Sequence, residues 1–214
     1  MEPELVDASS VAQTRRALAW RFPEPRPAIS SAPVGGGVAT LDWVVDVGVT
    51  EGYDRTDLAE HAADVAARLA LVGAGAALFT AVPVERVVRA DDGGVVVDAT
   101  VGVTRTTWAA DDDGTHAVRD GEAWRPGTIN LVVQVPVGLS PAAAVNAVAT
   151  ATEAKVQALV EAGVPGTGTA SDALVVCWSA TLPTEAFAGP RSRWGARIAR
   201  AVHAAVRRGL EVHP

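Results

Sequence analysis

Two long apolar runs, joined by a polar loop and no helix, constrain the fold of this chain most strongly. The first run, GVVVDATVGVT, follows the turn Asp91-Asp92-Gly93-Gly94, and the second run, TINLVVQVPVGL, begins at Thr128. Both are rich in valine and bounded by turn residues, which is typical of β-strands. Strands connected without a crossover helix pair in the antiparallel sense. The sequence therefore predicts a mainly antiparallel sheet.

Three segments with helical spacing of apolar residues are predicted to pack on this sheet. The first spans residues 54–71, the second runs from the N-cap pair Ser140 and Pro141 to residue 162, and the third ends near residue 208. The buried face of the second helix is predicted to contain Val145, Val148, Thr152, Val156 and Leu159. The third is predicted to bury Trp194, Ile198, Ala201, Val202 and Ala205.

Strands paired through short loops, with long helices between them, predict an α+β domain built as a layered sandwich. No internal repeat and no low-complexity linker divides the chain, so residues 1–214 are predicted to form a single domain. Residues 1–27 mix charges with the proline-rich stretch FPEPRP, and we expect them to form a peripheral segment.

Composition and charge exclude several classes of protein. The net charge is -7 and no basic block stands out, so a nucleic-acid partner is not expected, because binding phosphates requires a basic face. We expect no membrane span, because no apolar run approaches roughly 18 residues, and no signal peptide. The single cysteine, Cys177, is expected to be a buried and inert thiol. These features predict a cytoplasmic protein with a small-molecule partner.

The rare residue types of this chain lie close together in the sequence. Of the 18 basic residues, Lys155 is the one lysine, and the two asparagines are Asn130 and Asn146. A lysine is a compact cation that loses its proton when it is desolvated, so arginine does not replace it everywhere. The region between residues 130 and 155 is therefore a candidate for the functional site.

Three clusters of small polar residues each precede a predicted strand. Glycines in such clusters let a ligand approach the backbone and leave amide N–H groups free to bind it. Any one cluster is also explained as an ordinary turn, but the three together predict a ligand-binding site. With Asn146, its candidate residues are Ser30, Ser31, Gly35, Gly36, Gly37, Thr128, Asn130, Gly166, Thr167, Gly168, Thr169, Ser171 and Asp172.

Familiar catalytic and metal-binding signatures are absent from the sequence. It contains no G-x-S-x-G elbow, no phosphate-binding loop and no dinucleotide-binding fingerprint. His61 and Asp64 lie three positions apart on the first predicted helix, where we expect a solvated face rather than a metal site. His116 lies in the acidic segment DDDGTHAVRD, which we expect to be an exposed loop. The sequence therefore predicts no metal site and shows no required cofactor.

A set of ordered motifs carries a resemblance to a known family. With the earlier SSAPVGGG and LFTAV, the stretches WRPGTINLVV, NAVATATEAKVQALVEAGVPGTGTASDALVV and AGPRSRWGARIARAVHAAV resemble the adenosylcobinamide amidohydrolase family over about residues 28–208. The resemblance implies hydrolysis of the amide between the aminopropanol arm and the corrin ring of a cobalt-containing corrinoid. The implied product is adenosylcobyric acid, which re-enters cobalamin synthesis.

Hydrolysis of an unactivated amide needs a base and hydrogen-bond donors for the developing oxyanion. Given the resemblance, Glu153 or Asp172 is expected to be the base that activates water. Lys155 is expected either to protonate the leaving amine or to hold a carboxylate in place. Amides of the glycine turns at 166–169 or 35–37 are expected to bind the oxyanion. A covalent route through Thr167, Thr169 or Ser171 is the alternative.

Two other functions stay open from the sequence. One is a corrinoid-binding module without catalysis, although the charged residues Glu153, Lys155 and Asp172 favour an enzyme, since binding neutral amides does not need them. The other is a self-processing peptide hydrolase, because the region 141–172 is also similar to self-processing aminopeptidases with a four-layer αββα sandwich. That second similarity is an analogy of fold, and it adds the αββα arrangement as a form of the predicted sandwich.

Overall fold

A computed structural model describes residues 1–111, 127–180 and 183–212 of the chain. His116 and nearly all of the acidic segment lie outside the described residues. In chain order, the strands and helices are β1 Glu4–Asp7, β2 Thr14–Ser30, β3 Gly37–Val49, α1 Leu58–Arg68, β4 Gly75–Thr80, β5 Val88–Asp92, β6 Val95–Val101, β7 Ile129–Val135, β8 Gly138–Leu139, α2 Pro141–Glu161, β9 Ala173–Trp178, β10 Thr184–Glu185 and α3 Arg193–Val212.

Eight of the described strands form one large mixed sheet, which confirms the predicted α+β class. Its order is β4-β3-β2-β9-β7-β6-β5, with β1 paired to β2. The pairs β3–β4 and β7–β9 are parallel, and helices α1 and α2 connect them as crossovers. The other pairs in this sheet are antiparallel, including the predicted return of β7 on β6. The sheet is therefore mainly antiparallel.

The sheet folds over on itself, so the molecule has four layers. Side chains alternate along each strand: on β7, Leu131 packs against α2 and α3, whereas Val132 packs toward the other half of the sheet. One apolar cluster lies between α1 and the strands β2, β3 and β4, and another lies between α2, α3 and β5, β6, β7 and β9. The third fills the space between the two halves of the sheet. This is the αββα arrangement.

Strand β2 corrects the prediction that residues 1–27 are peripheral. It occupies the middle of the sheet, and Trp20 is 1% exposed. The prediction is wrong because the prolines of FPEPRP signal an irregular segment, whereas Pro23 and Pro25 lie at a shift of strand register between Arg21 and Arg26 and the strand continues on both sides. Proline is tolerated at such an irregularity, since the residue needs no ladder hydrogen bond there. The first part of β2 pairs with β3, and its last residues pair with both β3 and β9.

Helix α2 has the predicted ends but a different buried face. Ser140 Oγ accepts a hydrogen bond from the amide of Ala143 at 3.1 Å, and Pro141 is the first helical residue. Of the predicted face, Leu159 is buried and Val148 and Val156 are half-buried, whereas Val145 is 59% exposed and Thr152 is also exposed, so the prediction is wrong for these last two residues. Alanine is small enough to let α2 pack closely against the sheet and α3, and the buried residues are Ala143, Ala144, Ala147, Thr150, Ala151, Ala154, Ala158 and Leu159.

Helix α3 confirms its predicted buried face, continues to Val212 rather than ending near residue 208, and packs beside α2 on the same layer. Its buried residues include the predicted Trp194, Ile198, Ala201, Val202 and Ala205. Cys177 on β9 is buried as a free thiol, and burial raises its pKa to about 12, so the sulfur stays protonated and unreactive. No helix among the described residues combines the length and hydropathy needed to span a membrane.

Candidate functional site

A cavity of about 490 Å³ opens at one end of the sandwich. Its walls come from the segments that follow β3 and β4 and from those that precede β7 and β9, because the two halves of the folded sheet meet at this end. The lining residues are Ser31, Pro33, Val49, Tyr53, Asp54, Arg55, Leu58, Phe79, Thr80, Ala81, Thr128, Ser171, Asp172 and Ala173. The cavity combines apolar walls with hydroxyl groups and a few charges, which is the usual make-up of a small-molecule site.

The carboxylate of Asp172 is the most heavily hydrogen-bonded group in this wall. Oδ1 accepts from the amide of Ile129 at 2.8 Å and from the hydroxyl of Thr169 at 2.5 Å. Oδ2 accepts from Lys155 Nζ at 2.5 Å and from the amide of Thr169 at 3.1 Å. These bonds connect the segment before β7, the segment before β9 and helix α2. Asp172 therefore fixes three parts of the site relative to one another.

Gly168 explains why one glycine is needed in the stretch GTGTASD. A Cβ atom at this position would collide with Asp172 Oδ2 and lie 2.5 Å from Lys155 Nζ. Lys155 and Asp172 form an ion pair whose side chains are only 12% and 13% exposed. The backbone at Gly168 thus passes directly beside this pair, which leaves no room for a side chain.

Two hydroxyl groups from different segments meet in the cavity wall. The oxygens of Thr128 and Ser171 lie 2.8 Å apart, and the Ser171 hydroxyl also donates to the carbonyl of Gly127 at 3.3 Å. Both residues line the cavity. The sequence predicted both as ligand-binding residues, and the fold brings them together because β7 and β9 are parallel neighbours that begin at the same edge.

The turn between β2 and β3 contributes a further part of the wall. Ser31 lines the cavity, and its hydroxyl accepts from the amide of Leu174 at 3.0 Å, so this turn is attached to β9. Ser30 Oγ accepts from the amide of Ala32 at 2.9 Å within the turn. Gly35 has a φ of +71° and lies against the carbonyl of Gly75, which excludes a side chain. Gly36 and Gly37 are exposed and do not line the cavity.

The residues before Gly168 are held by the segment after β6. Thr167 donates its amide to the carbonyl of Thr107 at 2.8 Å, and its hydroxyl accepts from the amide of Ala109 at 2.9 Å. Gly166 is buried against Thr106 and Thr107. Thr167 and Gly166 therefore attach the loop to the segment after β6, and neither residue lines the cavity.

Two further predicted site residues lie on the exposed side of α2, and a third is buried behind Phe79 of the cavity wall. Glu153 and Asn146 are exposed on α2. Asn130 is buried between the two halves of the sheet, where its Nδ2 donates to Asp46 Oδ1 at 2.8 Å and to the carbonyl of Phe79 at 3.1 Å. Neither Glu153 nor Asn146 contacts the wall that Asp172 organises, because the alanine face of α2, and not their flank, is turned inward.

Two polar groups near the cavity were not recognised as site candidates in the sequence. His61 is fully buried rather than solvated, which corrects the expectation for the first helix. It contacts the hydroxyl of Tyr53, a residue of the cavity lining. Asp46 is buried, and burial raises its pKa to about 6 despite hydrogen bonds from Asn130 and Thr100. The helical spacing of apolar residues could have indicated the burial of His61, since this residue shares a helix face with the buried Ala62 and Val65.

No group of three or more histidine, cysteine, aspartate or glutamate side chains is placed to hold a metal ion within the described parts of the chain. The polar groups of the cavity are mainly hydroxyls, together with Asp54, Arg55 and Asp172. Arg55 is bound by both carboxylate oxygens of Asp57, at 2.9 and 2.6 Å. The side chains that line the cavity can take part in hydrogen bonding and proton transfer.

An αββα sandwich with an open cavity at its end, lined by apolar groups and hydroxyls, is typical of proteins that bind small molecules. A model of the adenosylcobinamide amidohydrolase family matches residues 2–213, and the chain belongs to this family. It is therefore a hydrolase of amide bonds. The match also includes most of residues 1–27, in agreement with the central place of β2.

Two curated relatives carry the same name, adenosylcobinamide amidohydrolase. The protein from Halobacterium salinarum is 32% identical over 182 residues, which cover 82% of this chain and 77% of the relative. The protein from Methanosarcina mazei is 27% identical over 191 residues, covering 85% of this chain and 89% of the relative. The similarity therefore spans more than three quarters of each protein.

Proposed function

We propose that this chain hydrolyses the amide that joins the aminopropanol arm to the corrin ring of adenosylcobinamide. The products are adenosylcobyric acid and aminopropanol, and the acid then re-enters cobalamin synthesis in the cytoplasm. Family membership supports the reaction type. The observation that carries the proposal is the cavity of about 490 Å³ with paired hydroxyls in its wall.

The size of the cavity favours binding of an arm rather than of the whole corrinoid. Cavities of about 300–1,000 Å³ enclose ligands of drug size, and a corrinoid with its adenosyl group is larger than that. The aminopropanol arm with its amide is small enough to enter. The ring and its other amide arms then lie across the opening, where the exposed turn at Gly36 and Gly37 offers backbone groups.

The hydroxyl groups in the wall suit a neutral amide. Ser31 and Thr80 line the cavity, and their hydroxyls accept from the amides of Leu174 and Val82, so each keeps its own proton to donate to a carbonyl oxygen. The oxygens of Thr128 and Ser171 can accept from the amide N–H group, so the substrate is bound without burying a new charge. Donors placed at the carbonyl oxygen also stabilise the oxyanion that forms when water adds. Among the hydroxyls considered for a covalent route, Ser171 lines the cavity.

Asp172 and Lys155 have a positioning role in this proposal. The four donors around the Asp172 carboxylate occupy both of its oxygens, which leaves little capacity to take a proton from water. Lys155 neutralises the carboxylate and fixes it to α2. Their pair holds Thr128 and Ser171 in the same wall, so its loss is expected to damage turnover through geometry.

The test is incubation of the purified protein with adenosylcobinamide, with the products resolved by mass. Release of aminopropanol with formation of adenosylcobyric acid is expected, and a repeat with a chelator shows whether a metal contributes. A tight complex without product would instead support the corrinoid-binding module. If the protein gives no product and forms no complex with adenosylcobinamide, the proposed substrate is refuted.

The Asp172→Asn variant tests the positioning role in the same assay. We expect kcat/KM to fall at least 10-fold, because the amide of asparagine cannot accept all four hydrogen bonds. Asp92→Asn is the matched control, since Asp92 also forms an ion pair, with Arg200 at 2.6 Å, but lies outside the cavity lining. If both variants were as active as the wild type, the positioning role of Asp172 would be refuted.

A further inference from the structure

We infer that Tyr53 and His61 form a proton relay, in which Tyr53 takes a proton from the attacking water while passing its own proton to His61. This inference rests on the proposed amide hydrolysis, and it assigns the base that neither motif nor spacing identified. Tyr53 touches the reacting water and is the catalytic residue of the pair. His61 acts through Tyr53.

The geometry connects the cavity with the buried histidine in one step. Tyr53 lines the cavity, and its hydroxyl oxygen lies 2.8 Å from His61 Nδ1. His61 is 0% exposed, and its Nε2 lies 2.6 Å from the hydroxyl of Thr14 on β2. The rings of Tyr53 and Phe79 lie 5.5 and 5.4 Å from the imidazole, centre to centre, and hold it in place. A residue of the cavity lining is thus joined by a hydrogen bond to a fully buried imidazole.

The relay requires His61 to carry its proton on Nε2, and the contacts of Thr14 favour this tautomer. The Thr14 hydroxyl has one proton and two contacts, with the carbonyl of Ala12 at 3.3 Å and with His61 Nε2 at 2.6 Å, and both are satisfied when it donates to Ala12 and accepts from His61. His61 then carries its proton on Nε2, and Nδ1 is free to accept the proton of Tyr53. The phenol oxygen in turn presents its remaining lone pair to the cavity, where it accepts from water.

The surroundings of His61 keep the imidazole ready to accept a proton at neutral pH. Burial lowers the pKa of His61, and the charge of Arg55 acts in the same direction. Asp57 and Asp64 oppose this shift, and Tyr53 is the other titratable group facing the ring. Burial also raises the pKa of Tyr53, so the phenol is protonated at rest. The relay starts from two neutral groups, which suits an apolar site.

The relay balances both halves of the hydrolysis. As the water oxygen bonds to the carbonyl carbon, one water proton moves to the oxygen of Tyr53 and the Tyr53 proton moves to Nδ1 of His61. The carbonyl oxygen becomes the oxyanion, bound by hydroxyl donors. The proton then returns through Tyr53 to the amide nitrogen, the C–N bond breaks, and the oxyanion collapses to the carboxylic acid. Aminopropanol leaves as the neutral amine, and both side chains regain their starting state.

Tyr53→Phe tests the relay with little change in packing, because the ring that contacts His61 and Phe79 remains. We expect kcat for adenosylcobinamide to fall about 100-fold or more, which is the usual contribution of a positioned acid–base group, with KM within about threefold of the wild type. Thr152→Val is the matched control, since it also removes one hydroxyl, from the exposed face of α2. Unchanged kcat in Tyr53→Phe would overturn the relay.

His61→Gln separates proton transfer from hydrogen bonding. The glutamine oxygen accepts a hydrogen bond from Tyr53 but takes no proton, so kcat is expected to fall as in Tyr53→Phe. The wild-type kcat is expected to decline on the acid side as His61 becomes protonated, with a midpoint below the ordinary pKa of 6.5, and this acid limb is expected to vanish in His61→Gln. An acid limb identical in both proteins would contradict the relay.

The tautomer of His61 gives a readout that does not depend on turnover. Nitrogen-15 NMR of ring-labelled histidine in the wild-type protein, assigned with His61→Gln, is expected to show a neutral imidazole protonated on Nε2. A proton on Nδ1 would overturn the relay. If the wild type itself releases no aminopropanol, the proposed function fails, whereas active wild type with active Tyr53→Phe refutes the relay alone.

Discussion

A carboxylate with four hydrogen-bond donors is a structural anchor rather than a free base, and Asp172 is in this position. The sequence showed that Asp172 precedes a strand, but the donors come from α2, from the start of β7 and from its own turn. Three distant parts of the chain therefore decide what this side chain does. The tertiary fold also determines that Lys155 is its partner, because the two residues are 17 positions apart in the sequence.

Asp46 makes the stability of the protein depend on pH. Folding raises its pKa from 3.8 to about 6, so the folded chain binds this proton more tightly than the unfolded chain. This contribution to stability is complete below pH 3.8 and is lost as the pH rises through 6, which amounts to about 3 kcal/mol. Asp46→Asn lacks the titration and still fits, because Asn130 donates to its oxygen while the Thr100 hydroxyl turns to accept.

We therefore expect Asp46→Asn to gain in unfolding free energy relative to the wild type between pH 4 and 7. Urea unfolding across this range measures the difference between the two proteins, in which the other titrating groups cancel. Asp91→Asn changes an exposed carboxylate and is expected to follow the wild type. A difference between Asp46→Asn and wild type that is constant with pH would contradict the assigned titration.

At the scale of elements, the loop between α2 and β9 passes so close to the ion pair of Lys155 and Asp172 that its backbone has no room for a side chain at Gly168. Gly168→Ala places a methyl group against Asp172 Oδ2 and Lys155 Nζ, and the four bonds of Asp172 resist its displacement. We expect a loss of about 1–3 kcal/mol in stability and at least a 10-fold loss of turnover. Urea unfolding and the adenosylcobinamide assay measure the two effects.

Gly189→Ala is the matched control for this loop. A Cβ at Gly189 meets no atom within 4 Å, so the substitution is expected to leave both stability and turnover near the wild-type values. If Gly168→Ala behaved like Gly189→Ala, the close approach of the loop to the ion pair would have no energetic consequence, and the positioning role of Asp172 and Lys155 would be weakened with it.

At the scale of the whole molecule, the αββα sandwich raises the alternative of self-processing. Cleavage before Thr167 or Thr169 would free an N-terminal nucleophile, but both backbone amides are used to hold the loop, through Thr107 and Asp172 respectively. We expect the purified protein to be one uncleaved chain of 21.9 kDa. Intact-mass measurement under denaturing conditions checks this, and two fragments summing to the full mass would favour a self-processing hydrolase.

Much of the local structure was predictable because it depends on near neighbours in the chain. A few neighbouring residues are enough to predict the helix cap at Ser140 and Pro141. The same holds for the valine-rich strands β6 and β7. The predictions that failed depend on packing. The spacing of the valines predicted the wrong face for much of α2, because close contact with α3 selects the alanines. The sequence predicted a solvated His61, whereas Tyr53 and Phe79 pack around it.

The sequence by itself determined the α+β class, the ends of α2 to within one residue and the small-residue turns, because backbone preference and hydrophobic period are local properties. It also identified Thr128, Ser171, Lys155 and Asp172 as residues of interest. Only the tertiary structure decided that β2 is central, that the sheet folds into two layers, and that Tyr53 meets His61 at a cavity. These facts follow from contacts between residues far apart in the chain, whose energies depend on the geometry in which the layers meet.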